Sequence, residues 1–148
     1  MPTLWQQTAQ DELLRRLEML RPDAAPRWGR MNCPQMLAHV NDALRMATGE
    51  LPTAPKKLAL RYPPLKQLII YVLPFPKGAP TARELVARAD RAVWATERAA
   101  FSAVLAQFAA RRDATDWPLH PAFGRLSRRA WGVLAYRHID HHFRQFGV

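Results

Sequence analysis

The chain has 148 residues, 49% of them hydrophobic and 23% charged, with one cysteine, 13 prolines and a net charge of +10. That is enough apolar material for a single domain, 1–148, with its own core. A lone cysteine, Cys33, excludes an internal disulfide and fits a reducing cytoplasm. No apolar run nears the ~20 residues that a spanning helix needs: Leu68-Ile69-Ile70-Tyr71-Val72-Leu73 is stopped by Pro74, and the first residues lack the blocks of a signal peptide.

Thr3 with Gln6 reads as a capping box that opens a first helix through about Leu20, with Leu4, Leu13, Leu14, Leu17 and Leu20 inward. Asn32, Pro34 and Gln35 open a second, whose stripe is Met36, Leu37, Val40, Leu44 and Ala47 and which Gly49 ends. His39 lies on one flank of that stripe. Residues 51–80 hold seven prolines; they predict an irregular crossover with short helical pieces near Lys57–Arg61 and Leu65–Leu73, packed down through Ile69, Ile70 and Val72. Thr81 and Glu84 form another capping box. The helix after it is expected to reach about Arg112, with an interruption near Arg88 and an inner stripe of Val93, Trp94, Phe101, Val104, Leu105 and Phe108. Asp113–Leu126 reads as a loop containing His120 beside Pro121. Ser127 caps the final helix and Gly147 ends it. With four substantial helices, one long connection and no strand pattern, the expected class is all-α, a four-helix bundle.

The final helix concentrates the chemistry. At about 100° per residue, Trp131, Leu134, Ala135, His138, His142, Gln145 and Phe146 share one stripe. Unpaired imidazoles are costly away from water, whereas two at i and i+4 can close on one metal ion. Facing helices of a bundle run 8–10 Å apart, so His39 can join them. Three neutral imidazoles leave a coordination position open, the arrangement of catalytic zinc sites. Glu97, in the middle of its stripe, reads either as a ligand, base or imidazole partner, or as half of a buried salt bridge to Arg137 or Arg144. His141 falls off the stripe, at the surface or behind the ligands. Asp42, a turn from His39, is expected to be exposed, and His120 to have a local partner. Cys33 is either a packed apolar group or, at a helix start, a thiolate.

The positive charge is mostly arginine, scattered from Arg15 to Arg128 without a long basic run or a nucleic-acid motif. It leaves open an alternative to an enzyme: a non-catalytic module that binds nucleic acid or another anionic partner.

Three stretches carry a family resemblance: Trp28-Gly29-Arg30-Met31-Asn32-Cys33-Pro34-Gln35-Met36-Leu37-Ala38-His39, His120-Pro121-Ala122-Phe123-Gly124-Arg125-Leu126, and Trp131-Gly132 through His138-Ile139-Asp140-His141-His142-Phe143-Arg144-Gln145-Phe146-Gly147. On them the chain resembles the DinB/YfiT-like superfamily, in a branch described as a domain of unknown function. The resemblance implies an up-down-down-up bundle with its long crossover between helices two and three, and often a homodimer. It also implies a divalent ion, nickel or zinc, on His39, His138 and His142. Characterised relatives include metal-dependent thiol transferases and a thiol-dependent isomerase. A small-molecule electrophile and a low-molecular-weight thiol would then meet at the metal, with Glu97 or His141 moving protons. The superfamily's usual Arg-Gly-Gln after the histidine pair is replaced by Phe143-Arg144-Gln145, a change at the substrate side of the site.

Overall fold

The computed structural model describes residues 1–77, 85, 86, 89 and 91–148. Their order is α1 (Gln7–Met19), α2 (Cys33–Thr48), a 3₁₀ turn (Ala59–Arg61), α3 (Leu65–Gln67) running into a π-helical turn (Leu68–Val72), α4 (Trp94–Ala110) and α5 (Arg128–Gln145). No strand occurs among the described residues, and a single antiparallel bridge joins His120 to Gly124. The regular structure of the described residues is all helical.

Local capping sets the two helices that matter most. Asn32 Oδ1 accepts the Gln35 N–H and Gln35 Oε1 accepts the Asn32 N–H, both at 2.9 Å, with Pro34 in the first turn. Gly49, at φ +86°, closes α2 in the left-handed conformation. Ser127 Oγ accepts the Ala130 N–H at 3.2 Å to start α5. α2 lies mainly along α4 and also meets α5, while α1 packs on α5 and α4. Leu13, Leu37, Phe101, Phe108, Ile139 and Phe143 fill the shared core. Gly132 lets the N-terminal segment close on α5: a Cβ there would overlap the Trp5 indole, whose Nε1 donates to Arg128 O at 3.0 Å.

Several element expectations shift. α1 starts a turn late, because the Thr3 hydroxyl accepts the Trp5 N–H (3.3 Å) and only the Gln6 side chain completes its half of the box; Leu4 is buried ahead of the helix and Leu14 only half-buried. The Thr81–Glu84 box and Arg88 lie outside the described residues. α4 itself begins at Trp94, after a turn closed by Ala92 N–H on Ala89 O, so Val93 is outside the helix and 59% exposed. It stops at Ala110, where Arg111 folds back on Asp116. In the crossover both short helical pieces form. The wide π turn, closed by Leu73 N–H on Leu68 O, buries Ile70 and leaves Val72 exposed. The Arg137 guanidinium of α5 donates to the carbonyls of Ile69, Ile70 and Leu73. It thereby clips this segment, and Phe75 beyond it, over the inward face of α5.

Candidate metal centre

α5 turns His138 and His142 inward one turn apart, and α2 delivers His39 from across the core. His138 Nε2 lies 3.0 Å from His39 Nε2 and 3.1 Å from His142 Nε2. All three nitrogens fall within 4.8 Å of one another, and the rings stand nearly perpendicular. Tetrahedral bonds of ~2.0–2.1 Å place ligand nitrogens about 3.3–3.4 Å apart. The two short separations need to open by only a few tenths of an ångström.

The protons are arranged for ligation. Gln145 Nε2 donates to Trp28 O at 2.6 Å, which can only accept, so Gln145 Oε1 is the atom facing His142 Nδ1 at 2.9 Å. The His142 proton therefore sits on Nδ1 and its Nε2 lone pair is bare. Gly29 makes this seat: its φ is +81°, and a Cβ there would come 2.7 Å from Gln145 Nε2. Burial pushes the His39 pKa down to about 4 and His142 to about 3, and His138 well below the ordinary value, with neighbouring imidazoles adding to the effect. Three neutral rings thus point nitrogen at nitrogen. His39 Nδ1 is buried without a hydrogen-bond partner. The donor set suits a borderline divalent ion such as zinc or nickel.

The cluster forms part of the wall of a cavity of about 610 Å³. Leu44, Met46, Leu60, Ile69, Phe75 and Leu134 make most of the rest apolar. His141, although off the stripe, is half-buried and lines the cavity, packed on Trp28 and Phe75 at 5.4 and 5.9 Å; burial lowers its pKa. At that rim Lys77 Nζ sits 4.7 Å over the Trp28 ring.

Glu97 stands apart. Asn41 Nδ2 donates to its carboxylate (2.8 Å) and to its carbonyl (2.9 Å), and Glu97 is not among the side chains that line the cavity. Asn41 is two residues beyond His39, about 200° round α2, so this contact is on the far side of that helix. The ion pair to Arg137 or Arg144, the other reading of Glu97, does not form: Arg137 holds the crossover carbonyls and Arg144 Nε donates to Asp140 at 3.0 Å. Asp42 is buried rather than exposed, bonded to Arg45 at 2.9 Å. Cys33 is fully buried, and burial, aided by Asp23, pushes its pKa up to about 11; desolvation outweighs the helix dipole and keeps it a thiol. His120 has the expected local partners, its Nδ1 accepting the Ala122 and Phe123 N–H groups, but it also reaches the cavity wall. The roles of Gln145 and of the Trp28-Gly29 seat escape sequence reasoning. The available signals are a glutamine three residues after a histidine and a glycine directly after a tryptophan.

Among the described residues no helix is long and apolar enough to cross a membrane. No curated protein and no solved structure matches the chain. The model of one family, described as "Protein of unknown function (DUF1569)", matches residues 4–147, nearly the whole length, and the chain belongs to that family.

Proposed function

We propose that this protein is a divalent-metal-dependent enzyme, a thiol-dependent transferase or isomerase whose zinc or nickel ion is held by His39, His138 and His142. The observation that carries the metal is the convergence of three neutral Nε2 atoms on the wall of an apolar cavity. The thiol chemistry and the bundle topology rest on the resemblance to DinB-like proteins. In this reading α1, α2, α4 and α5 form the up-down-down-up bundle, the proline-rich segment is its crossover, and the protein pairs as a homodimer.

A divalent ion in this site supplies a lowered pKa to a thiol or water in its open position. The residues of the chain do the rest. Gln145 holds the His142 ring in the tautomer that bares Nε2. The apolar walls exclude water from the thiol and the electrophile. A ring nitrogen of His141 takes the S–H proton; the sulfur lone pair then bonds the electrophilic carbon, and the leaving group departs with its electron pair and recovers the proton. Glu97, held by Asn41, is left out of this sequence. Surplus positive charge draws an anionic thiol toward the cavity.

Elemental analysis after expression in medium supplemented with nickel and zinc tests the metal. Wild type should carry close to one ion per chain and His142→Ala less than about 0.1. Wild type below about 0.1 ends the proposal, and salt-sensitive heparin retention by that metal-free protein favours the basic binding module instead. A thermal-shift screen of small thiols on metal-loaded protein then tests the cofactor class.

A further inference from the structure

The cavity has a second polar end that the metal chemistry does not use. His120 lies in a short loop closed by its own backbone: His120 N–H donates to Gly124 O at 2.9 Å and Gly124 N–H to His120 O at 2.8 Å. Lys56 N–H donates to Pro121 O at 2.8 Å and ties the loop to the crossover. Inside this loop His120 Nδ1 accepts two N–H groups, from Ala122 (3.1 Å) and Phe123 (3.2 Å). A neutral imidazole whose Nδ1 accepts carries its proton on Nε2. No hydrogen bond to that Nε2 is found among the described residues, and His120 is one of the residues that line the cavity.

The ring packs 5.5 Å from Trp131, whose indole Nε1 is buried without a partner. Trp131 and His138 share the inward face of α5, two turns apart, or about 10 Å along the axis at 1.5 Å per residue. The wall between these ends is largely apolar. The chamber is thus built as a metal cluster, an apolar span and a fixed N–H donor.

Taking the cavity to be the substrate chamber, as in the proposed function, we infer that His120 Nε2–H is its second anchor. It hydrogen-bonds a neutral carbonyl-type oxygen on a substrate whose apolar body extends from the metal-held atom. Burial, with a smaller contribution from Lys66, takes the His120 pKa to about 3. The ring therefore donates as a neutral group, which suits an amide, ester or ketone oxygen better than a carboxylate.

Two substitutions separate the roles of the ring. Asparagine can accept the same loop N–H groups, as in an Asx turn, but has no atom at the Nε2 position. Glutamine places an N–H donor there and gives up the loop contacts. The probes are an eight-carbon alkyl thiol ending in a primary amide and the same thiol ending in methyl. Both are titrated calorimetrically into metal-loaded and chelated protein. Wild type should prefer the amide by about threefold to tenfold, the worth of one net hydrogen bond. His120→Asn should lose the preference with methyl-probe binding unchanged, and His120→Gln should recover part of it. A preference that survives in His120→Asn, or that is absent from wild type in both metal states, overturns the anchor. Should the asparagine variant not fold, nitrogen-15 spectra of wild-type His120 decide: an Nε2-protonated ring perturbed only by the amide probe supports it, and an Nδ1-protonated ring refutes it. An amide preference in chelated protein, without metal uptake, keeps the anchor and removes the metal reading.

Discussion

The two edges of α5 treat polar groups in opposite ways. On the edge facing α1, Arg16 donates to Asp140 (2.8 Å), Glu12 (3.2 Å) and the Val148 carbonyl (3.0 Å). Arg144 bonds the same Asp140, and Tyr136 O–H donates to Glu12 at 3.0 Å. Burial and Glu12 push the Tyr136 pKa up to about 12, which keeps it a donor. On that seam Arg16, Arg144 and Tyr136 all meet acceptors. On the cavity edge, imidazole nitrogens meet one another, and the neighbouring His39 Nδ1 and Trp131 Nε1 are buried without partners. A saturated seam joins two helices and asks nothing more of its surroundings. An undersatisfied cluster costs stability unless something fills it, and in this protein it faces an open cavity rather than packed core.

The sharpest way to break the contrast is His138→Ala, which contacts both other ligand rings. It should cut zinc or nickel affinity by roughly a hundredfold or more while far-UV circular dichroism stays native; unaltered affinity would make the cluster architecture rather than a site. Gln145→Leu comes next. Removing the acceptor of the His142 Nδ1 proton should weaken metal binding about 10–100-fold, by competition titration with a chelator, without unfolding the chain. Gly29→Ala should act by the same route, since its Cβ crowds the Gln145 amide.

A pH series addresses the donor end of the cavity. His120 has a folded pKa of about 3 against 6.5 when free, so below about pH 6.5 the unfolded chain takes up a proton that the folded one refuses. The stabilisation from a neutral His120 is complete above that pH and is lost as pH falls toward the folded value, at about 1.4 kcal/mol per pH unit. In urea titrations with chelator present, the stability gap between wild type and His120→Asn should narrow by about 2 kcal/mol from pH 7 to pH 5. A constant gap would mean that the ring ionises freely. The smallest effect belongs to the saturated seam: Arg16→Met should lower stability by about 1–2 kcal/mol and leave metal content unchanged. Loss of metal in that variant would erase the distinction between the two edges.

Much of this was legible along single helices. The 3.6-residue period puts His138, His142 and Gln145 on one buried stripe, and the Asn32–Gln35 box, Gly49 and Ser127 mark their helix ends where the structure has them, because periodicity and capping depend on neighbours a few residues away. The same logic misled where competing local bonds were available. The Thr3 hydroxyl went to Trp5 rather than to the helix, and Val93 fell just outside α4.

How helices face one another is a different matter. Sequence spacing determined that two imidazoles would point inward from the last helix and that a third, His39, stood on the flank of another. Only the packing of α2 between α4 and α5 decided that His39 would meet them while Asn41, on the opposite side of the same helix, took Glu97 away. Tertiary structure alone likewise drew the Trp28 carbonyl to Gln145 and brought the His120 loop to the cavity. The physical reason is that a residue's angle around its own helix is set by backbone geometry, whereas the rotation of one helix against another is set by how their side chains interlock over the whole core.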